Sequence, residues 1–231
     1  MRIYALVEGK TESRFVSAVL SPHFALRGKS LAPVQLSTSR DHRGGMTSFD
    51  RVKRGLWALM RQHRGLDVAF TTMFDLYALP TDFPGFDPLL RDSHEKTRRI
   101  EAAMGAAFDD RRLIPYIQVH EFEALLFVDL SVLPPLFVDE DYRHAIESLR
   151  TSVGADADPE RINDSLETSP SHRLIQFLPG YEKRKAEVGP DAAKEIGLVR
   201  LRDRCPHFAE WIGKLEALVP WPPKVYPAPE A

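Results

Sequence analysis

Residues 2–12 read RIYALVEGKTE, an apolar run that ends at an acidic residue and a glycine. The run from Arg2 to Val7 is rich in β-forming side chains and has the length of a buried strand. Glu8 and Gly9 then suit a tight turn. After the turn, apolar residues recur at helical spacing at positions 15, 16, 19 and 20. This stretch therefore predicts a strand that leads straight into a helix, the first unit of an α/β fold.

The same alternation continues along the chain. Residues 31–36, 68–74 and 113–119 have strand character, whereas residues 48–62 and 93–108 show helical spacing. Strands that alternate with helices favour a mainly parallel sheet flanked by helices on both faces. After about residue 130 the pattern weakens and separate helical patterns replace it. We therefore predict an α/β core over residues 1–130, a helical C-terminal appendage over residues 131–219 and a proline-rich tail over residues 220–231.

The composition limits the class of protein. The 231 residues are 43% hydrophobic, enough for one substantial core, and the formal net charge is -2. This charge excludes binding of nucleic acid over the whole surface, because phosphates need clustered Lys and Arg. Cys205 is the single cysteine and cannot form an intramolecular disulfide. Since no apolar stretch has the length of a signal peptide or membrane span, we expect a cytoplasmic protein with no membrane partner.

Three carboxylates follow the predicted strands. Glu8 and Asp75 come directly after strand-like runs, and Glu12 lies one helical turn after Glu8. Ligands of open α/β sheets gather at the carboxyl ends of the strands, and Mg²⁺ or Mn²⁺ takes oxygen ligands. The spacing therefore predicts a metal site made by Glu8, Glu12 and Asp75. Two structural alternatives stay open: Glu12 as a carboxylate favoured by the helix dipole, and Asp75 as a turn residue.

A second polar group, His120, Glu121 and Glu123, falls at the end of the fourth predicted strand. It lies at the same edge of the sheet and offers a general base and a further metal ligand. No second histidine stands four positions after the first, so the zinc-protease helix motif is absent. The alternative is that both glutamates are ordinary helix residues and that His120 is a cap or core residue.

Basic residues mark where a phosphate backbone could lie. Residues 40–64 carry a net formal charge of +5, and Arg40 and Arg43 fall in the loop after the second predicted strand. A weaker basic cluster spans residues 183–185, one member of which could offset charge that develops in phosphoryl transfer. We take Arg40, Arg43, Lys10 and Lys183 as the candidate nucleic-acid contacts. For residues 51–64 the alternative is a solvated helix face.

The motifs resemble those of a known group. Residues 8–12, EGKTE, are similar to the Glu-Gly-x-x-Glu signature that opens Toprim domains of overcoming-lysogenization-defect nucleases, and Asp75-Leu76-Tyr77 falls at their Asp-x-Asp pair. The resemblance is closer to a bacterial domain-of-unknown-function family, number 4276, of the Toprim-like group. It rests on TMFDLY at residues 72–77, QVHEFEALLF at residues 118–127 and PHF at residues 206–208. It implies a Toprim-like fold, Mg²⁺-dependent cleavage of DNA or RNA, and a phage-defence effector controlled by an ATPase partner.

Tyr77 departs from the Toprim pattern, because it replaces the second aspartate of the pair. A phenol, with an ordinary pKa of about 10, is a poor Mg²⁺ ligand at neutral pH. Either Glu121 or Glu123 compensates, or one metal binds, or catalysis is lost. The leading hypothesis is a Mg²⁺-dependent nuclease or related phosphotransfer enzyme, with Glu8, Glu12, Asp75, Glu121, Glu123 and His120 as candidate catalytic residues. The second is a non-catalytic Toprim-like interaction module. A zinc hydrolase ranks third, because no zinc-ligand spacing is recognisable.

Overall fold

The computed structural model describes residues 1–36, 48–77, 79–137, 142–154, 157–162 and 168–221. The strands are β1 (Arg2–Val7), β2 (Ser30–Gln35), β3 (Val68–Asp75), β4 (Leu113–Ile114) and β5 (Ile117–Gln118). The helices are α1 (Lys10–Phe15), α2 (Ser21–Ala25), α3 (Phe49–Gln62), α4 (Ser93–Phe108), α5 (Arg143–Val153), α6 (Pro170–Phe177), α7 (Tyr181–Ile196), α8 (Leu198–Arg204) and α9 (Pro206–Glu216). A π-helical segment, Val16–Leu20, joins α1 to α2, and 3-10 helices span Phe122–Val128, Leu130–Val132 and Pro134–Leu136.

The described strands form one parallel sheet in the order β2-β1-β3-β4, with β5 paired to β3 beyond the end of β4. Val7 pairs with Met73 of β3, so the carboxyl ends of β1 and β3 lie nearly level. This confirms the predicted α/β class, with a parallel sheet flanked by helices. The same edge therefore carries the residues that follow both strands.

The prediction of one strand over residues 113–119 is wrong, because the chain forms two short strands there. Pro115 lies between them and has no N–H to donate to the ladder. At this point the Thr72 hydroxyl supplies hydrogen bonds to the neighbouring segment. It accepts from the Tyr116 N–H at 2.9 Å and donates to the Tyr116 carbonyl at 2.8 Å. A side chain of β3 thus holds the interrupted strand in place.

The core has a layer on each face of the sheet because side chains alternate along a strand. Ile3, Ala5 and Val7 of β1 face the layer that contains α1 and the C-terminal helices. Leu6 faces the other layer, made with α3 and α4. Each face of β1 is therefore covered, as the apolar run of residues 2–7 predicts.

The C-terminal helices join the first of these layers. Trp211 of α9 stacks on Tyr116 with 4.1 Å between ring centroids, and its indole N–H donates to the Thr71 hydroxyl at 2.8 Å. One continuous apolar cluster contains residues from both sides of residue 130, so the division there stays a prediction. In the described part of the chain, the helices are too short or too polar to cross a membrane.

Candidate functional site

The turn after β1 places two carboxylates at the carboxyl edge of the sheet. Helix α1 begins at Lys10 with Gly9 as its N-cap, and the Glu12 side chain reaches back so that its Oε2 accepts the Gly9 N–H at 2.9 Å. Glu12 is buried, with 8% of its surface exposed. The helix-terminus interpretation of Glu12 therefore accounts for one of its two carboxylate oxygens.

Asp75 ends β3 and is held by the segment that follows β5. The chain turns at His120, which has a positive φ of 63°, and its carbonyl accepts the Tyr77 N–H at 2.8 Å. This turn aims the first N–H of the Phe122–Val128 helix at Asp75, so the Phe122 N–H donates to Asp75 Oδ1 at 3.0 Å. The same turn brings Glu121 and Glu123 to the edge where Asp75 lies.

Five predicted carboxylates come together here: Glu8, Glu12, Asp75, Glu121 and Glu123. The pKa of Asp75 is raised well above its ordinary value, first because burial disfavours its charge and then because the other four carboxylates repel it. Burial and the charge of Glu123 likewise raise the pKa values of Glu12 and Glu121. The cluster thus places several carboxylates close enough for their negative charges to repel one another.

The neutralising partners come from the C-terminal helices. The Tyr181 hydroxyl donates to Glu123 Oε1 at 3.2 Å, and Lys185 Nζ lies 3.5 Å from the same oxygen. The negative charge of Glu123 raises the pKa of Lys185, with Asp75 and Glu121 adding to the effect. Ser171 binds both oxygens of Glu121, its hydroxyl donating to Oε2 at 2.9 Å. Lys185, rather than Lys183 of the same basic cluster, is the lysine that contacts the carboxylates.

Close packing of α7 makes these contacts possible. A Cβ atom at Gly189 would lie 3.0 Å from both Phe122 Cε1 and the Tyr181 hydroxyl. Such distances force a neighbour to shift, so the absence of a side chain lets α7 rest against the Phe122–Val128 helix. Helix α7 consequently presents Tyr181 and Lys185 to Glu123 from one side of the cluster.

The carboxylate oxygens of the cluster are the kind of ligand that a hard divalent cation requires. Within the described ranges, Asp75 Oδ2 and Glu12 Oε1 accept no hydrogen bond from another residue. Those ranges contain no group of three or more His, Cys, Asp or Glu side chains already arranged around a single metal position. Mg²⁺ keeps several waters and needs only one or two carboxylates. The residues therefore offer oxygen ligands for an ion held by a pair of carboxylates and water.

The His120 side chain points toward Glu160. Its ring Nε2 lies 3.0 Å from the carbonyl oxygen of Glu160, and the ring lines a separate cavity of about 360 Å³ with His94 and Glu160. The positive φ at this position turns the main chain so that Glu121 faces Asp75 while the imidazole faces Glu160. The role of general base for His120 stays a prediction.

Two of the predicted nucleic-acid contacts share one cavity. Lys10 of α1 and Lys183 of α7 line a cavity of about 450 Å³ between these helices; α1 also carries Glu12, and α7 also carries Lys185. Arg14 also lines it and is paired with Asp191 at 2.9 Å. Arg40 and Arg43 lie outside the described residues. Tyr77, which replaces the second aspartate, has 42% of its surface exposed.

Comparisons with known proteins identify a family whose description names no activity. A family model described as "Domain of unknown function (DUF4276)" matches residues 7–216. The C-terminal region of the Burkholderia pseudomallei OLD protein is similar at 16% identity, over 94% of this chain and 98% of that chain, with a TM-score of 0.45. The corresponding region from Xanthomonas campestris pv. campestris is similar at 14% identity, over 92% and 97%, with a TM-score of 0.36. No curated protein sequence matches this chain.

Proposed function

Because the chain belongs to the family described as Domain of unknown function (DUF4276), whose description names no activity, we propose a function from the site: a Toprim-like, metal-dependent nuclease that cleaves DNA or RNA. The observation that carries this proposal is the convergence of five carboxylates at the carboxyl edge of a parallel sheet, with Lys185 against them. Like charges that repel one another, and so raise their own pKa values, are unfavourable for stability. Such clusters are therefore more typical of functional sites than of purely structural ones.

The proposal assigns the metal ligands to Glu8, Glu12 and Asp75. These side chains supply the oxygen ligands that Mg²⁺ or Mn²⁺ prefers, and Glu12 Oε1 and Asp75 Oδ2 are the oxygens left without a described hydrogen bond. A bound ion at such a site positions a phosphodiester and activates water. Either Glu121 or Glu123 would replace the carboxylate that Tyr77 removes, and the negative charges of both raise the pKa of Asp75.

The remaining groups have distinct tasks in this proposal. Lys185 keeps its positive charge at neutral pH, because the carboxylates raise its pKa, and stabilises negative charge that develops on the phosphate oxygens. Tyr181 and Ser171 fix the positions of Glu123 and Glu121 through hydrogen bonds. The pKa of Tyr181 is raised well above its ordinary value by burial and by Glu123, so its hydroxyl remains a donor.

Substrate binding is assigned to the cavity between α1 and α7. Lys10 and Lys183 line it, and neither forms an ion pair with another residue in the described part of the chain. Changing both to alanine is expected to weaken binding of single-stranded DNA or RNA. Each lost phosphate contact lowers the slope of log affinity against log salt by about 0.7 to 0.9. Fluorescence anisotropy over a salt series measures this. Lys194→Ala, on the same helix and away from the cavity, is the control and should leave the slope unchanged.

A cleavage assay tests the proposed activity. The full chain is incubated with DNA and RNA panels in Mg²⁺ or Mn²⁺ and in EDTA. Cleavage is expected only with metal, and Glu8→Ala is expected to remove it, because an acidic group at the end of β1 is lost from the ligand set. If the unaltered chain cleaves, equally fast cleavage by Glu8→Ala would refute the site assignment.

Two further elements belong to the same proposal. The resemblance to phage-defence effectors implies a cytoplasmic protein that an ATPase partner controls, and such control would keep the isolated chain silent in a cleavage assay.

The second candidate function is a non-catalytic Toprim-like interaction module, which Tyr77 favours by removing a ligand. The module predicts no metal binding, whereas a nuclease under partner control still binds metal.

A further inference from the structure

A third cavity lies at the opposite edge of the sheet from the carboxylates. It has a volume of about 810 Å³ and is lined by residues that precede β3 and β4, by the end of α3 and by Trp221. This volume is within the range of about 300–1,000 Å³ typical of small-molecule sites. Residues at the amino ends of the strands cannot contribute to the site at the carboxyl ends, so this cavity needs its own explanation.

Two indoles form its apolar walls. Trp221 is anchored by its ring N–H, which donates to the Val68 carbonyl at 3.1 Å, and by its main-chain N–H, which donates to the Leu66 carbonyl at 2.7 Å. Trp57 of α3 packs against Phe108 with 5.5 Å between ring centroids. Both rings are only partly buried and line the cavity. The cavity thus has rigid aromatic surfaces that a flat ring can contact.

The charged residues around these indoles leave a positive excess. Arg112 and Asp110 neutralise each other at 2.7 Å, whereas Arg61 and Arg64 are exposed and form no ion pair with any residue that the structure describes. The guanidinium of Arg111 lies 5.2 Å from the ring centre of Trp221. The basic stretch at residues 51–64 therefore ends in a pocket instead of only covering a solvated helix face.

We propose that this cavity binds a nucleotide unit, with the base against the indoles and the phosphate on Arg61 and Arg64. Bases stack on aromatic rings regardless of sequence, and guanidinium groups donate paired hydrogen bonds to phosphate. Only a ligand that combines a flat ring with an anion uses both features. A free nucleotide and a unit of a single strand share this chemistry.

Tryptophan fluorescence of the full chain in EDTA tests the proposal independently of the metal site. The probes are ATP, AMP, an oligothymidylate and pyrophosphate. Trp211 is 2% exposed within the core, so quenching reports on Trp57 and Trp221. Saturable quenching by a nucleotide or by the oligonucleotide is expected. A stronger response to ATP identifies a free nucleotide, and a stronger response to the oligonucleotide identifies a single strand.

Matched double variants complete the test. Arg61→Ala with Arg64→Ala should weaken binding at least about tenfold, since hydrogen bonds to charged groups contribute more than about 1.4 kcal/mol each. Arg54→Ala with Arg98→Ala removes two exposed arginines outside the cavity and should leave affinity unchanged. The proposal is overturned by an absence of quenching, by equal affinity of the Arg61/Arg64 double variant, or by pyrophosphate binding as tightly as ATP.

Discussion

Asp75→Asn is expected to make the protein more stable in EDTA while it destroys metal binding. Asparagine keeps an Oδ1 that accepts the Phe122 N–H, and it removes the charge that four neighbouring carboxylates repel. The free energy of unfolding at pH 7.5 should therefore rise, by on the order of 1 kcal/mol, a usual size for the effect of one substitution. Urea unfolding of the variant and the unaltered chain measures the difference.

The pH dependence of that difference supplies its control. The pKa of Asp75 is raised in the folded state, so the folded protein binds more protons than the unfolded chain between the two pKa values. The unaltered chain therefore loses stability relative to the variant as the pH rises from about 4 toward the folded pKa. Groups with lowered pKa values, such as Asp67 and Asp110, act in the opposite direction but are present in both proteins. A variant less stable than the unaltered chain, or a difference independent of pH, would contradict this account.

Lys185→Met is expected to separate catalysis from metal binding. The lysine is the cation that contacts the carboxylates among the described residues, and its loss removes positive charge where the phosphate would gain negative charge. Loss of one such group lowers cleavage by roughly 10²- to 10³-fold. Affinity for Mn²⁺ should stay the same or increase, because a cation that competes for Glu123 is gone.

Cleavage rates and Mn²⁺ titrations on the same preparation check this prediction. Lys194→Met removes a lysine from the same helix, α7, away from the cluster, and should change neither quantity. An unchanged cleavage rate in Lys185→Met, or a loss of metal binding together with cleavage, would show that Lys185 is not the charge-stabilising group.

The parts of the fold that the sequence predicts are those with strong local patterns. Residues 2–7 and 68–74 are continuous apolar runs, and the structure has strands at both. Helix α4 spans the predicted residues 93–108, with Asp92 as N-cap. Glu8 and Asp75 follow directly from these strands, because the carboxyl ends of parallel strands meet at one edge.

Other features depend on contacts that no local pattern encodes. Ser171, Tyr181 and Lys185 reach the cluster from helices α6 and α7, at sequence separations of 50 and 58 residues for the two hydrogen bonds. The direction of the His120 ring depends on a positive φ, which is uncommon for residues other than glycine, so the spacing of His120, Glu121 and Glu123 does not encode it. Pro190 lies inside α7, although a proline is ordinarily the sign of a helix boundary, so the local sequence does not indicate one continuous helix from Tyr181 to Ile196.

Calorimetric titration with Mn²⁺ tests most directly whether the carboxylate cluster is a metal site, since binding does not depend on a partner or on catalysis. The unaltered chain is compared with Asp75→Asn and with Glu147→Gln, which removes an exposed carboxylate of α5 outside the cluster. We predict millimolar or tighter binding that Asp75→Asn abolishes and Glu147→Gln preserves. No binding to the unaltered chain, or equal binding to Asp75→Asn, would contradict the account and favour a non-catalytic module.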